Sequence, residues 1–441
     1  MSRRLFSISY LNLNSSTFSI NNLLSYVPRA IPKRKKKSLS KPQSGKRVVA
    51  GAETTELSSV TNEVHQHSHY KRPTHPTSVP ISKLFSNTFP LGVAESIEHY
   101  KLRNEPLRFQ HELLSTLPFY PNKDSLGRTS KVLKVPIDDK ENYINEFVIY
   151  PPGKTEADSA TMKHLVMIHG YGAGLGFYLK NFDAIAMRND WCIHAIDLFG
   201  YGCSSRPHFH PQNVEQVEKW FYDSYEAWFA QKNIDKSKLL IMAHSMGAYL
   251  MACYGIARDA HFCRKIIMAS PGAIIRHKRQ IPVPGYFKRL WERNISPFTL
   301  VRKAGPLGSK VVSGWSSRRF ANLSKREAYL LHKYAYGIFQ ARGSGEYMLN
   351  FLLAPGADAR FPLIEKAIHK LRCDMTWWYG DGDWMDKSGG QMCSDIINNL
   401  AESADRPQRS DVKVIEYSGH HVYLDNITQF NNAVLEEMDK F

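Results

Sequence analysis

The stretch Lys238–Leu250, KLLIMAHSMGAYL, decides the fold. Leu239, Leu240, Ile241 and Met242 form a short apolar run of the kind that makes a buried strand. Small and polar residues follow, Ala243, His244, Ser245, Met246 and Gly247, and then helix-compatible sequence from Ala248 to Ala257. Nucleophilic acyl chemistry uses a serine on such a strand-to-helix turn, because the sharp bend lifts the hydroxyl clear of the sheet. The turn admits only small residues two positions to either side of the serine. Here these are Ala243 and Gly247, with alanine where the G-x-S-x-G pattern has glycine. The N–H of Met246, at the start of the helix, can point at a developing oxyanion. The same pentapeptide fits an ordinary strand–turn–helix whose serine only caps the helix, so the rest of the chain has to decide.

Outward from that stretch, strands alternate with helical patterns. Arg128–Ile137 and Tyr143–Tyr150 read as an antiparallel entry pair, and His164–Ile168, Trp191–Ile196, Cys263–Met268, Asp374–Tyr379 and Val412–Tyr417 as further strands. Helical patterns cover residues 93–115, broken near Pro106, then Phe177–Met187, Val214–Gln231 and Ser388–Leu400. The alternation predicts an α/β fold: a mostly parallel central sheet with helices on both faces and ligands outside the carboxyl ends of the strands. Between Gly272 and Lys370 it stops, and the sequence there is basic, aromatic and helical in pattern. The expected organisation is a transit peptide and disordered linker over 1–90, a core in two parts over 91–271 and 371–441, and a helical basic cap over 272–370.

The charge is concentrated. The 441 residues hold 58 Lys/Arg against 41 Asp/Glu, a net +17. Residues 1–52 and 271–330 each carry +11, which leaves −5 for the rest. Two basic blocks suit targeting and contact with an anionic surface better than general nucleic-acid binding. The acid-free, Arg- and Ser-rich start has the profile of a mitochondrial transit peptide; the run Lys33–Lys37 is also compatible with a nuclear-type basic tract. Residues 40–90 read as a flexible polar linker, and His65, His67, His69 and His75 within it lack a cysteine or carboxylate frame for a metal. The six cysteines form no C-x-x-C pair and read as buried thiols of a reducing compartment. No uninterrupted apolar run of about 18 residues is present, so no transmembrane helix is expected. Within the insert, Tyr286, Phe287 and Trp291 stand beside Lys288 and Arg289. That mixture suits a helix lying in a lipid headgroup layer; a packed lid helix with a solvated basic face fits the same residues.

Three loops can meet Ser245 at the sheet edge. HGYG, His169 to Gly172, follows a strand, and its glycines let the N–H of Tyr171 join that of Met246 in an oxyanion hole. A G-x-G-x-x-G reading from Gly170 fails at Leu175. YGDGDWMD offers Asp381, Asp383 and Asp386 without EF-hand spacing. Asp383, three residues past Gly380, stands where a carboxylate that orients a catalytic imidazole commonly lies, with Asp386 in reserve. SGHHVYLDN offers His420 as general base. The chain order Ser245, Asp383, His420 is that of α/β-hydrolases.

Together HGYGAG, DLFGYGCSSRP, AHSMGAYL and SGHHVYLDN resemble the lipid-acting α/β-hydrolases over roughly residues 90–441. That branch includes N-acyl-phosphatidylethanolamine lipases, the lipid-droplet lipase co-activator and fungal cardiolipin-specific deacylases. The transit-like start and basic insert are most similar to the fungal mitochondrial deacylase. The resemblance implies a serine phospholipase without metal or organic cofactor. It would release monolysocardiolipin and fatty acid from cardiolipin, peripherally on the mitochondrial inner membrane, with no nucleic acid and no obligate protein partner. Lys288, Arg289, Trp291 and Phe287 are the expected lipid contacts. The branch also carries an H-x-x-x-x-D pattern, here His420 to Asp425, that has been linked to acyl transfer onto lysophosphatidic acid. His420 cannot easily serve as triad base and as independent acyltransferase base, so Asp425 is read as structural or as a support behind the catalytic residues. The rival readings are a lysophosphatidic acid acyltransferase using acyl-CoA and a lipid-binding regulator without turnover. In the co-activator the nucleophile position is not serine, so Ser245 favours catalysis.

Overall fold

The computed structural model describes residues 91–276, 283–403 and 407–441. The expectations for residues 1–90, including the basic tract and the four linker histidines, lie outside the described residues. The strands are β1 (Thr129–Pro136), β2 (Tyr143–Tyr150), β3 (Lys163–Ile168), β4 (Trp191–Ile196), β5 (Leu239–His244), β6 (Lys265–Ala269), β7 (Leu353–Ala354), β8 (Asp358–Ala359), β9 (Asp374–Gly380) and β10 (Ser410–Ile415). Eight of them form one sheet in the order β1-β2-β4-β3-β5-β6-β9-β10, and β7 and β8 form a separate hairpin. β2 pairs antiparallel with both β1 and β4, while the remaining neighbours are parallel. From β3 the chain moves outward to β4, then returns to the other side of β3 as β5. That reversal opens a crevice at the carboxyl ends of β3 and β5, where ligands of open α/β sheets bind.

Helices cover both faces. They are α1 (Val93–Lys101), α2 (Pro106–Leu114), α3 (Leu179–Ile185), α4 (Val214–Ala230), α5 (Met246–Ala257), α6 (Gly285–Glu292), α7 (Phe298–Lys303), α8 (Gly308–Arg319), α9 (Lys325–Gln340), α10 (Leu349–Leu352), α11 (Lys387–Ser403), α12 (Val422–Asp425) and α13 (Ile427–Asp439). Successive strand residues point to opposite faces, and the core divides accordingly. Leu165, Met167, Leu240 and Met242 pack with Phe109 and Leu113 of α2, Phe182 of α3 and Phe430 of α13. Val166, Ile168, Ile241 and Ala243 pack with Phe221 of α4, Leu250 of α5 and Ile397 of α11. The break near Pro106 separates α1 from α2, and Pro106 takes the first helical position, where its missing N–H leaves no bond unmade.

Helices α6 to α10 and the hairpin lie between β6 and β9 in sequence. Ser324 and Glu327 close a capping box at the start of α9. Leu331 and Tyr334 of α9 join the first core cluster, and Leu352 of α10 joins the second. The hairpin was not expected, because two-residue strands are too short to show a period in sequence. β10 also ends two residues before the expected Tyr417, which adopts φ 51° and turns the chain toward the loop that carries His420. All six cysteines are free and buried. No helix of the described residues is long and apolar enough to cross a membrane.

Candidate active site

Ser245 follows β5 directly and takes φ 54°, ψ −118°, a conformation that L-residues rarely adopt. Its N–H donates to Ala269 O at 2.9 Å and its carbonyl accepts from Tyr249 N at 3.2 Å, so the turn is held from both sides. Small neighbours are required. A Cβ on Gly247 would lie 2.4 Å from His169 O, and one on Gly170 would lie 2.8 Å from Ser245 Cβ. Ala243, in contrast, is fully buried between Ile168 of β3 and Met268 of β6. A methyl group is accommodated there, so the departure from G-x-S-x-G leaves the turn intact.

Ser245 Oγ lies 3.0 Å from His420 Nε2, and His420 Nδ1 lies 3.3 Å from Asp383 Oδ1. Asp383 is held in turn: Met385 N donates to its Oδ1 at 3.0 Å, and the Ser270 hydroxyl donates to its Oδ2. Asp386 is exposed and points elsewhere; its Oδ1 accepts from Ser388 N at 2.9 Å at the start of α11. Asp381 Oδ1 accepts from Ser418 N at 2.9 Å, which ties the acidic loop to the histidine loop. A nitrogen base at hydrogen-bond distance from a hydroxyl, backed by a buried carboxylate, is the arrangement that raises serine to a nucleophile.

Met246 follows Ser245 directly as the first residue of α5, and Tyr171 follows Gly170, whose backbone packs so close to Ser245 that an added Cβ would lie 2.8 Å from Ser245 Cβ. The Tyr171 ring is stacked on Phe298 of α7 with centroids 5.5 Å apart, which fixes the loop beneath the cap. His169 Nδ1 donates to Gly170 O at 2.8 Å, and its Nε2 accepts from Leu198 N at 3.0 Å. Burial holds that imidazole below its ordinary pKa, so it stays neutral and keeps both bonds.

Asp425 does not approach Ser245. Its Oδ2 accepts from Gly419 N at 2.9 Å, one residue before His420, and its Oδ1 lies 3.3 Å from Nη1 of Arg319 at the end of α8. His244 Nε2 donates to His420 O at 2.9 Å. Burial and then the nearby His420 hold His244 well below its ordinary pKa; burial and then Arg319 do the same for His421.

The four expected lipid contacts lie on α6, apart from this cluster. Lys288 and Arg289 are exposed, and Tyr286 beside them is 55% exposed. Trp291 corrects the expectation of an outward anchor: its Nε1 donates to Leu353 O at 3.0 Å and its ring packs on the second core cluster. Phe287 is half-buried with its ring centroid 5.9 Å from that of Trp291. Sequence reasoning did not find Ser270, His244, His421 or Arg319. Ser270 had a weak signal in its place at the end of a strand; Arg319 had none, since its partner is far along the chain.

A family model described as alpha/beta hydrolase fold matches residues 163–427, and the chain belongs to that family. Within it the chain falls in the lipid-acting branch. It is 35% identical over 292 residues to a protein of Arabidopsis thaliana named 1-acylglycerol-3-phosphate O-acyltransferase, covering 63% of this chain and 66% of that one. The chain thus spans a little under two thirds of that plant relative. It is 30% identical over 288 residues to the (Lyso)-N-acylphosphatidylethanolamine lipase of Homo sapiens, covering 62% of this chain and 78% of that one. A solved bromoperoxidase from Bacillus anthracis superposes with a TM-score of 0.48 at 16% identity, over 71% of this chain and all of that one.

Proposed function

We propose that the chain is a serine acyl hydrolase of phospholipids. The observation that carries this reading is the chain of contacts from Ser245 through His420 to Asp383, 3.0 Å and 3.3 Å long. His420 Nε2 takes the Ser245 proton as Oγ attacks the ester carbonyl. The oxyanion that forms accepts from the Tyr171 and Met246 amides, while Asp383 stabilises the imidazolium. His420 then returns the proton to the leaving lysolipid oxygen, and the acyl group stays on Ser245. Water attacks the acyl-enzyme next, with His420 again accepting the proton, and fatty acid leaves. No step needs a metal or an organic cofactor.

Cardiolipin is the substrate to test first, on a mitochondrial inner membrane, with α6 resting on the anionic surface. The outward Lys288 and Arg289 support that contact. Each basic side chain near an anionic leaflet contributes about 1 kcal/mol, so Lys288→Glu with Arg289→Glu should weaken binding to cardiolipin vesicles and lower activity there more than on a soluble short-chain ester. Equal loss on both would make α6 a structural lid. A reporter fused to residues 1–52 should enter mitochondria; nuclear accumulation would favour the Lys33–Lys37 tract.

The decisive experiment is fluorophosphonate labelling with lipid turnover. Ser245 should be the labelled residue, and Ser245→Ala should lose hydrolysis by about 10³-fold or more. Full labelling of that variant would overturn the reading. The second reading, acyl transfer from acyl-CoA to lysophosphatidic acid, is favoured by the likeness to the plant protein named 1-acylglycerol-3-phosphate O-acyltransferase. It uses the same acyl-enzyme, with the lysolipid hydroxyl replacing water, and predicts turnover that requires acyl-CoA. A regulator without turnover predicts lipid binding unchanged in Ser245→Ala and no acyl-enzyme.

A further inference from the structure

Beside Ser245 lies a set of enclosed polar atoms that the acyl chemistry above does not use. Arg319 engages Asp425 through Nη1, but its Nε and Nη2 are enclosed and have no hydrogen-bond partner among the described residues. The Tyr423 hydroxyl and His244 Nδ1 are enclosed and unpartnered as well. These groups sit together. The ring of His244 is 5.0 Å from that of Tyr423 and 5.2 Å from that of His421, and the His420 and His421 rings are 5.5 Å apart. The Arg319 charge is felt by His244, His421 and Tyr423 alike.

An enclosed donor without an acceptor is destabilising, and more so when it is charged. Arg319 carries two such donors, and Tyr423 supplies a third close by. Among the described residues the carboxylate that meets Arg319 is that of Asp425, and it is already divided between Gly419 N and the guanidinium. His244 and His421 add no negative charge. Among the described residues no further acceptor reaches these donors; an anion with several acceptor oxygens fits them, and the planar fork of arginine suits the oxygens of a phosphate.

We propose that Arg319, positioned by Asp425 and aided by the Tyr423 hydroxyl, binds the phosphate of the ester that Ser245 attacks. The proposal rests on the acyl-hydrolase reading and narrows its substrate class. A glycerophospholipid carries phosphate on the carbon beside the acylated one or one further, and the subsite stands one ring beyond the catalytic imidazole. It also gives the H-x-x-x-x-D spacing a physical role. Asp425 links the loop that carries the base to the cation that would read the headgroup, and it takes no proton itself.

The test uses the full chain and Arg319→Met and Arg319→Lys variants, with fluorophosphonate labelling of Ser245 as the check that the site is assembled. Two esters are compared, a phosphatidic acid and a neutral diacylglycerol, in the same detergent micelle. In Arg319→Met the KM for the phosphate ester should rise about tenfold or more relative to the change on the neutral ester, as loss of a charge-assisted pair predicts. Arg319→Lys should recover part of that preference. An ether analogue of lysophosphatidic acid, which has no ester to cleave, should inhibit neutral-ester turnover competitively, and its Ki should rise by a similar factor in Arg319→Met. This arm stands even if no phospholipid is hydrolysed, in which case the acyl-hydrolase reading fails for phospholipids and the phosphate subsite remains. Inhibition by glycerol 3-phosphate as strong as by the ether lipid supports the site and assigns it to the phosphate alone; inhibition by the ether lipid only supports it and assigns it to a chain-bearing ligand. If Arg319→Met depresses both esters equally and leaves the Ki unchanged, Arg319 is a structural tie and the proposal is wrong. Should that variant not fold, protection of Ser245 from labelling by the ether lipid in the unmodified chain decides, and its absence overturns the proposal.

Discussion

Two of the buried histidine clusters among the described residues, one on the strands and one beside Ser245, differ in one respect. On β2, β3 and β4 every polar atom of the cluster has a partner. His164 Nδ1 and His194 Nε2 are 3.0 Å apart, His164 Nε2 donates to Ser159 O at 2.8 Å, and His194 Nδ1 meets Glu146 Oε1 at 2.6 Å. Glu146 Oε2 takes Lys232 Nζ at 2.5 Å and Trp228 Nε1 at 3.2 Å. Donor atoms of His164, Cys192 and His194 lie within 4.8 Å of one another, a metal-like spacing, yet the ring nitrogens are already engaged. Around Ser245, by contrast, His244 Nδ1, Arg319 Nε and Nη2 and the Tyr423 hydroxyl are left open. A closed network spends its hydrogen bonds on the fold. The open one at the carboxyl edge of the sheet holds the donors that the proposed phosphate would meet.

The largest expected effect lies in the open cluster. Asp383→Asn should lower turnover by about 10³–10⁴-fold, because the amide no longer fixes the imidazole tautomer; Asp386→Asn, which touches only a helix cap, should change it little. Steady-state kinetics on a soluble ester ranks the two, and the reverse ranking would move the acid to Asp386. Next comes the closed cluster. Glu146→Ala leaves His194 and Lys232 buried without their carboxylate and should cost about 3–5 kcal/mol of stability, read by urea unfolding, with the rate per folded molecule preserved. If turnover falls while stability holds, the distinction between the clusters collapses.

A smaller effect separates them by pH. Burial and then the His194 charge pull His164 down to about 4, whereas His194, despite burial, is pushed up to about 10 by Cys192 and the Glu146 carboxylate. Below about 6.5 the unfolded chain binds a proton that folded His164 refuses, so stability falls as pH drops from 6.5 toward 4. His99, pulled to about 4 by burial and then Lys333, adds a loss of the same sign. His164→Gln should flatten that acid slope in thermal melts and leave the pH profile of turnover unmoved. Smallest is Ser270→Ala, which removes one hydrogen bond to Asp383 and should lower kcat about tenfold, with thermal stability changed by less than about 1.5 kcal/mol.

Much of this was legible in the chain. The strands β3, β4 and β5 are apolar runs; β4 spans the expected Trp191–Ile196, β3 begins one residue before the expected His164, and β5 runs two residues past the apolar run that ends at Met242. Ser245 and His420 stand in loops that follow strands, and chain order relates them. Asp383 was distinguishable from Asp386 by its distance from Gly380, although both are aspartates in one loop. Arg319 was not legible, because nothing around Ser316–Phe320 indicates a partner more than a hundred residues later. Nor was the inward turn of Trp291: the amphipathic pattern of α6 does not say which of its aromatics meets a carbonyl of β7. Local periodicity reports which face is apolar, and it is silent on which polar atoms lack a mate.

β6 and β9 are hydrogen-bonded neighbours, with Lys265 opposite Asp374 and Ala269 opposite Trp378. The long excursion between them thus departs and returns across a single ladder. A surgeon of the gene has one natural pair of cut sites here. A foreign segment spliced between Ser270 and Cys373 meets the same two paired strands, and it has to replace the core contacts that Leu331, Tyr334 and Leu352 make. Ser245, Asp383 and His420 all lie outside that interval, so a graft of this kind leaves all three on the strands and loops that now carry them.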